Sequence, residues 1–277
     1  MTTRTPRVNR LLLRTWNVFH GNAHPPEREG FLAEMVRLAT ADRPDVVCLQ
    51  ELPVWSLSRL ERWSGVRAVG AVAARPSVGP LPWPAEAGRI VTDVNHGLFR
   101  SAFTGQGIAM LVSAPSEVLE QRVLVLNGRD FRKRETSRLG LGLVTRLAWG
   151  KERRVTQVAR IRRGSSTFVI ANLHATGYPD RRLASAEVFR AATFVDAFAE
   201  RREPVVLAGD FNLTLRNSSV LRRLVTPEWG FEGAGTGIDH ILVRGLSGGA
   251  TTRWPEERRR VGGRVLSDHA PAERSVE

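Results

Sequence analysis

The strongest constraint on this chain is a series of short apolar runs, each of strand length, that stop abruptly on a polar residue. "VVLAGDFN" at 205–212 shows the form most plainly: four apolar residues and a glycine, then Asp210, Phe211 and Asn212. "RLLLRTWNV", "DVVCLQE", "STFVIANLHA" and "GIDHILVRG" repeat it. Such runs are too short and too uniformly apolar for surface helices, and they read as buried strands. "PEREGFLAEMVRLATADRP", with Phe31, Met35 and Leu38 at helical spacing, and "PDRRLASAEVFRAATFVDAFAERRE" read as helices. A strand, a helix and a strand open the chain, which predicts parallel pairing of the first two strands. "QGIAMLVS", "EVLEQRVLVL", "LGLVTRLAWG" and "RRVTQVARIRR" read as further strands, with "RRGSS" as a hairpin turn. Residues 75–105 are rich in Pro and Gly and read as surface loops. No repeat or linker interrupts the pattern, so residues 1–277 are expected to form one α/β domain with much antiparallel sheet.

Composition narrows the partners. At 42% hydrophobic residues the chain can bury a substantial core, and its net charge of +13 favours an anionic partner. All but Lys133 and Lys151 of the basic residues are arginine, so a compositional bias accounts for part of that charge. Cys48, the single cysteine, excludes an intramolecular disulfide and reads as a core residue. The N-terminal apolar run is too short for an export signal, and no stretch reaches the roughly 20 apolar residues of a membrane span. A soluble, cytoplasmic protein is expected.

The polar tips fit one chemistry. They are Asn17, Glu51, His174, Asp210 with Asn212, Asp239, and Asp268 with His269. Any one could simply begin a solvated loop. Residues i and i+2 of a strand share a face, so Asp210 and Asn212 can enter one cleft while Phe211 packs the other way. A carboxylate can deprotonate water, and an amide can donate to a phosphoryl oxygen without repelling it. Glu51 and Asp268 are hard oxygen ligands of the kind Mg²⁺ takes. His269 needs a carboxylate to fix its tautomer, and Asp239 is the candidate.

In order, "TWNV", "LQE", "NLHA", "GDFN", "IDHI" and "SDHAP" resemble the motifs of the endonuclease/exonuclease/phosphatase superfamily, the DNase I-like phosphoesterases, over residues 16–271. The resemblance implies a four-layer α/β/β/α sandwich of two mainly antiparallel sheets, with the site at one edge. It implies Glu51 as the main Mg²⁺ ligand, with Mn²⁺ a possible substitute, Asn17 supporting the metal or the phosphate, and Asp268 beside the metal. It implies His174 and Asn212 on the phosphate, Asp210 activating water, and Asp239–His269 as general acid or transition-state stabiliser. Phe19, where abasic-site endonucleases carry a polar residue, and the lack of a counterpart to their tyrosine argue against that branch. Tyr178, the only tyrosine, follows the NLHA strand.

The expected activity is hydrolysis of phosphodiester bonds, in nucleic acid first. A small or lipid-derived phosphate, as in inositol-phosphatase-like or sphingomyelinase-like relatives, is the alternative. A catalytically inactive nucleic-acid-binding module is the rival of another class. "RDFRKRE" with Arg138 puts Arg132, Lys133, Arg134 and Arg138 either on a phosphate-binding edge or in a solvated loop. His20, His24 and His96 read as loop histidines, His240 as facing away from the site, and "PEERRR" as a solvated charge run. Trp83 is a candidate for base stacking.

Overall fold

A computed structural model describes residues 10–78, 81–82, 84–98 and 103–277. Trp83 lies outside the described residues. Two large sheets face each other. In the six-stranded sheet the order is Thr252–Arg253, Ala272–Val276, Leu11–Asn17, Val46–Leu52, Gln106–Val112, Arg67–Ala74. In the five-stranded sheet it is Asp239–Arg244, Val205–Asp210, Ser166–His174, Val155–Arg163, Ser116–Val125. Each sheet contains one parallel pair, Leu11–Asn17 with Val46–Leu52 and Ser166–His174 with Val205–Asp210, and every other pairing is antiparallel.

The continuous apolar runs arise because both faces of these strands are covered. Along Val205–Asp210, Val206 and Ala208 join Leu13, Cys48, Met110, Phe168 and Ile241 in the core between the sheets. Val205 and Leu207 point outward against Ala184, Val188, Ala191 and Val195 of the helix Arg181–Phe198. On the far side Met35, Val36 and Ala39 of the helix Leu32–Thr40 cover Trp16, Val47 and Leu49. The result is four layers: helix, sheet, sheet, helix.

Three expectations change. "LGLVTRLAWG" is not a strand but the helix Leu143–Lys151. Glycines precede it, and Leu143, Arg146, Leu147, Ala148 and Lys151 are good helix formers, while only Trp149 of its side chains is buried, so no sheet face claims it. "RDFRKRE" belongs to the helix Arg129–Leu139, closed by Gly140 at φ 60°, a conformation glycine adopts without strain. Within residues 75–105 lie the helix Ala85–Val94 and the short strands Ser77–Val78 and Leu81–Pro82. Among the described residues no helix is long and apolar enough to cross a membrane.

Candidate active site

Strand parity and register assemble the site. Inward-facing residues of the five-stranded sheet end in His174, Asp210 and Asp239. These lie side by side because His174 is in register with Asp210, and Asp210 with Asp239. In the other sheet Leu11, Leu13, Thr15 and Asn17 share the inward face. The parity of Val46, Cys48 and Gln50 would turn Glu51 outward. A break in the pairing register between Leu49 and Leu52, with Glu51 at φ 55°, turns it back into the cleft. Seven non-glycine residues of the described chain have positive φ, and five stand here: Phe19, His20, Glu51, Asn212 and Ser267. Backbone strain of this kind concentrates where side chains must be aimed. Gly209, at φ 138°, has no alternative, since a Cβ would collide with the Leu173 carbonyl.

Asn17 ties the two sheets together at the cleft. Its Nδ2 donates to Glu51 Oε1 at 3.1 Å and to Asp210 Oδ2 at 3.0 Å, and its Oδ1 accepts from the Phe19 N–H at 3.0 Å. His174 Nε2 stands 3.6 Å from both Glu51 and Asp210. His269 Nδ1 donates to Asp239 Oδ1 at 3.0 Å, while its Nε2 faces Asp210 Oδ2 at 3.8 Å. The loop carrying His269 is fastened by Ser267 Oγ donating to the Asn17 carbonyl at 2.7 Å and Trp16 Nε1 donating to the His269 carbonyl at 2.9 Å. Asn212 leaves the strand, donates its N–H to Asp210 Oδ1 at 3.0 Å and its side-chain amide to the Ala175 carbonyl at 2.9 Å. Phe211 points the other way, fully buried, its ring edge against His240 at 5.1 Å.

The charges follow from burial and neighbours. Burial, reinforced by Asp239, lifts the Asp210 carboxyl to about 7. Burial opposes a charge on His269, but the Asp239 hydrogen bond and the charges of Asp239, Asp210 and Asp268 outweigh it and lift the imidazole to about 10. Burial, then Arg154, His269 and His20, hold His174 well below the ordinary histidine range, so it is neutral. Asp210, Asp239 and His269 lie within 4.8 Å of one another, a spacing a metal could use. His269 Nδ1 is already engaged by Asp239, which makes a His–Asp pair beside the Asp210 carboxyl. Glu51 fits a hard cation better. Asn17 engages only its Oε1, and its Oε2 lies 3.5 Å from His20. Asp268 is exposed and, among the described residues, accepts a hydrogen bond from Ser267 Oγ at 3.4 Å.

Arg132, Lys133, Arg134 and Arg138 are not brought to the cluster. Arg134 and Arg138 line a cavity of about 950 Å³ on the outer helical layer, and Arg138 is paired with Glu135 at 2.5 Å. Sequence reasoning also missed three residues. His20, on the turn after the strand Leu11–Asn17, is a buried neighbour of Glu51 rather than a solvated loop histidine. Arg154, buried, sets Nη1 within 2.9–3.0 Å of the ring nitrogens of His174. Asn172 bridges the sheets, accepting from Gln50 Nε2 at 2.7 Å and donating to the Leu49 and Ala109 carbonyls at 3.1 and 3.0 Å. Only Asn172 carried a signal, as an inward position two residues before His174.

The sequence profile of the Endonuclease/Exonuclease/phosphatase family matches residues 15–269, and the chain belongs to that family. Solved structures share its DNase I-like fold. The human nocturnin catalytic domain, with a bound sulfate anion, is 14% identical with a TM-score of 0.66, covering 100% of this chain and 99% of that one. A humanized D. rerio TDP2 is 13% identical with a TM-score of 0.62, covering 97% and 99%. An endonuclease/exonuclease/phosphatase from Beutenbergia cavernae is 17% identical with a TM-score of 0.64, covering 97% and 71%. At these identities the likeness is one of fold. No curated protein sequence matches the chain.

Proposed function

We propose that this chain is a Mg²⁺-dependent phosphodiesterase that cleaves nucleic acid by direct attack of water. The observation that carries the reading is the pairing, in one cleft, of a buried carboxyl held near neutrality with an imidazolium held charged by a second carboxylate. Asp210 takes a proton from the attacking water, a task suited to a group that titrates near the working pH. His269, oriented by Asp239, presents a charged Nε2–H to the phosphoryl or leaving oxygen. Neutral His174, backed by Arg154, and the remaining N–H of Asn212 donate to the phosphate without adding a proton to the balance. Glu51 would hold the cation with Asp268 at the rim. Mg²⁺ suits one or two carboxylates plus waters and substrate phosphate. When bound, it neutralises charge on the phosphoryl oxygens. The net charge of +13 supports a polyanionic substrate. A lipid-derived phosphodiester is the second reading, favoured by the exposed aliphatic side chains Leu143, Val144 and Leu147 on the helical pair that leaves its sheet at the catalytic edge.

The test is a turnover panel with Mg²⁺ or Mn²⁺ over single- and double-stranded DNA, RNA, a phosphomonoester and sphingomyelin, run beside Asp210→Asn. The variant should lose about 10²–10⁴ in kcat, with KM unchanged or lower. Binding of nucleic acid without turnover would instead identify an inactive binding module.

A further inference from the structure

The segment between the strands Ser116–Val125 and Val155–Arg163 is a pair of helices, Arg129–Leu139 and Leu143–Lys151. It leaves and re-enters its sheet at the catalytic edge, because Val125 pairs with Val155 and Thr156 with Leu173, the neighbour of His174. Its base is tied by Asn127 Nδ2, which donates to the carbonyls of Trp149 at 3.1 Å and Glu152 at 2.7 Å. Its inner side is anchored where Leu141 and Trp149 pack on Leu183 of the long helix.

The outer side meets no such partner among the described residues. Leu143, Val144 and Leu147 are 67%, 80% and 67% exposed. At positions i, i+1 and i+4 they occupy one side of a nine-residue helix. Around them the chain is strongly basic: residues 129–153 hold eight basic residues against three acidic ones. Arg146 and Lys151 of the same helix, and Arg153 just after it, are exposed.

We propose that this helical pair docks on an anionic lipid bilayer, with Leu143, Val144 and Leu147 entering the interface and the basic side chains meeting lipid phosphates. Each half of the surface needs the other's explanation. A nucleic acid would satisfy the arginines but leave three aliphatic side chains in water, since a phosphate backbone offers them nothing. A second copy would cover the aliphatic side chains, but two-fold pairing would press one basic surface against another. An acidic bilayer satisfies both, by apolar insertion and by attraction of basic groups near its surface. The proposal concerns attachment and does not depend on which phosphodiester the cleft cleaves.

The test is cosedimentation of the full chain with vesicles of phosphatidylcholine alone or mixed with phosphatidylserine. Binding to the mixed vesicles is expected, and little to phosphatidylcholine alone. The triple variant L143S/V144S/L147S and the double variant R146Q/K151Q should each weaken it by roughly tenfold or more. These side chains are exposed, so melting temperatures and turnover of a soluble substrate should hold, which separates this outcome from failure of the catalytic reading. Three results would overturn the proposal. One is no retention by phosphatidylserine vesicles. Another is a triple variant that binds them like wild type while R146Q/K151Q loses affinity for a DNA oligonucleotide, which assigns the surface to nucleic acid. The third is a wild-type dimer in sedimentation velocity that the triple variant dissociates.

Discussion

Asp239→Asn isolates what keeps His269 charged. His269 is 16% exposed in its side chain and donates from Nδ1 to Asp239 at 3.0 Å. Burial works against the imidazolium, and the Asp239 hydrogen bond and charge, with Asp210 and Asp268, lift its titration to about 10. An asparagine at 239 can still accept from Nδ1 through its own oxygen, so the ring stays oriented while the charge disappears. Burial then meets only Asp210, at 3.8 Å, and Asp268. Titration should return to the ordinary histidine range or below, a fall of at least about three and a half pH units, or about 5 kcal/mol of preference for the imidazolium. A histidine whose folded pKa is raised contributes stability that is complete below about pH 6.5 and is lost as pH rises through about 10. Wild-type melting temperature should therefore fall across that window through this group, and the variant should lose that part of the slope. NMR titration of His269, assigned with His269→Gln, and thermal melts across the window, all in EDTA, read both effects. A His269 titration unchanged by the substitution would refute the argument that Asp239 sets its charge.

Two further substitutions separate metal from packing. Glu51→Gln keeps an oxygen to accept from Asn17 Nδ2 but removes the charge a hard cation needs. Calorimetry should show weaker Mg²⁺ binding and assays the loss of most turnover at an unchanged melting temperature, whereas full wild-type activity in EDTA would end the metal assignment. Phe211→Ala opens a cavity under the long helix and should cost roughly 3–5 kcal/mol of stability, read by denaturant melts, while the folded fraction keeps its chemistry. A variant that is stable and inactive would show that Phe211 serves the cleft instead.

Much of this was legible because period-two alternation ties each polar tip to its apolar neighbours. Once Leu11 and Leu13, Phe168 and Ile170, or Val206 and Ala208 are placed between the sheets, Asn17, His174 and Asp210 must face the same way. The expected turn of His240 away from the site holds for the same reason: it is buried and bonds the Leu213 carbonyl at 2.8 Å. Glu51 is the instructive exception. Alternation would place it outside, and it enters the cleft only through a local break in register that no propensity announces, so its place at a strand tip and its chemistry pointed to it while strand parity did not. His20 and Arg154 escaped because their places depend on tertiary contacts: one on a left-handed turn beside Glu51, the other on the inward return of a basic run. The helix Leu143–Lys151 was misread because a short apolar run fits either period until its neighbours decide.

The bridging of Asn172 to Gln50 and to the Leu49 and Ala109 carbonyls has a mechanical consequence. Half of the cleft rides on one sheet and half on the other, so sliding between them opens like the jaws of a caliper. A misplacement of about 1 Å is enough to cost roughly 10²-fold in rate. Loosening the interlayer, by truncating the buried Ile170 for instance, should therefore lower the turnover of the folded enzyme as well as its melting temperature.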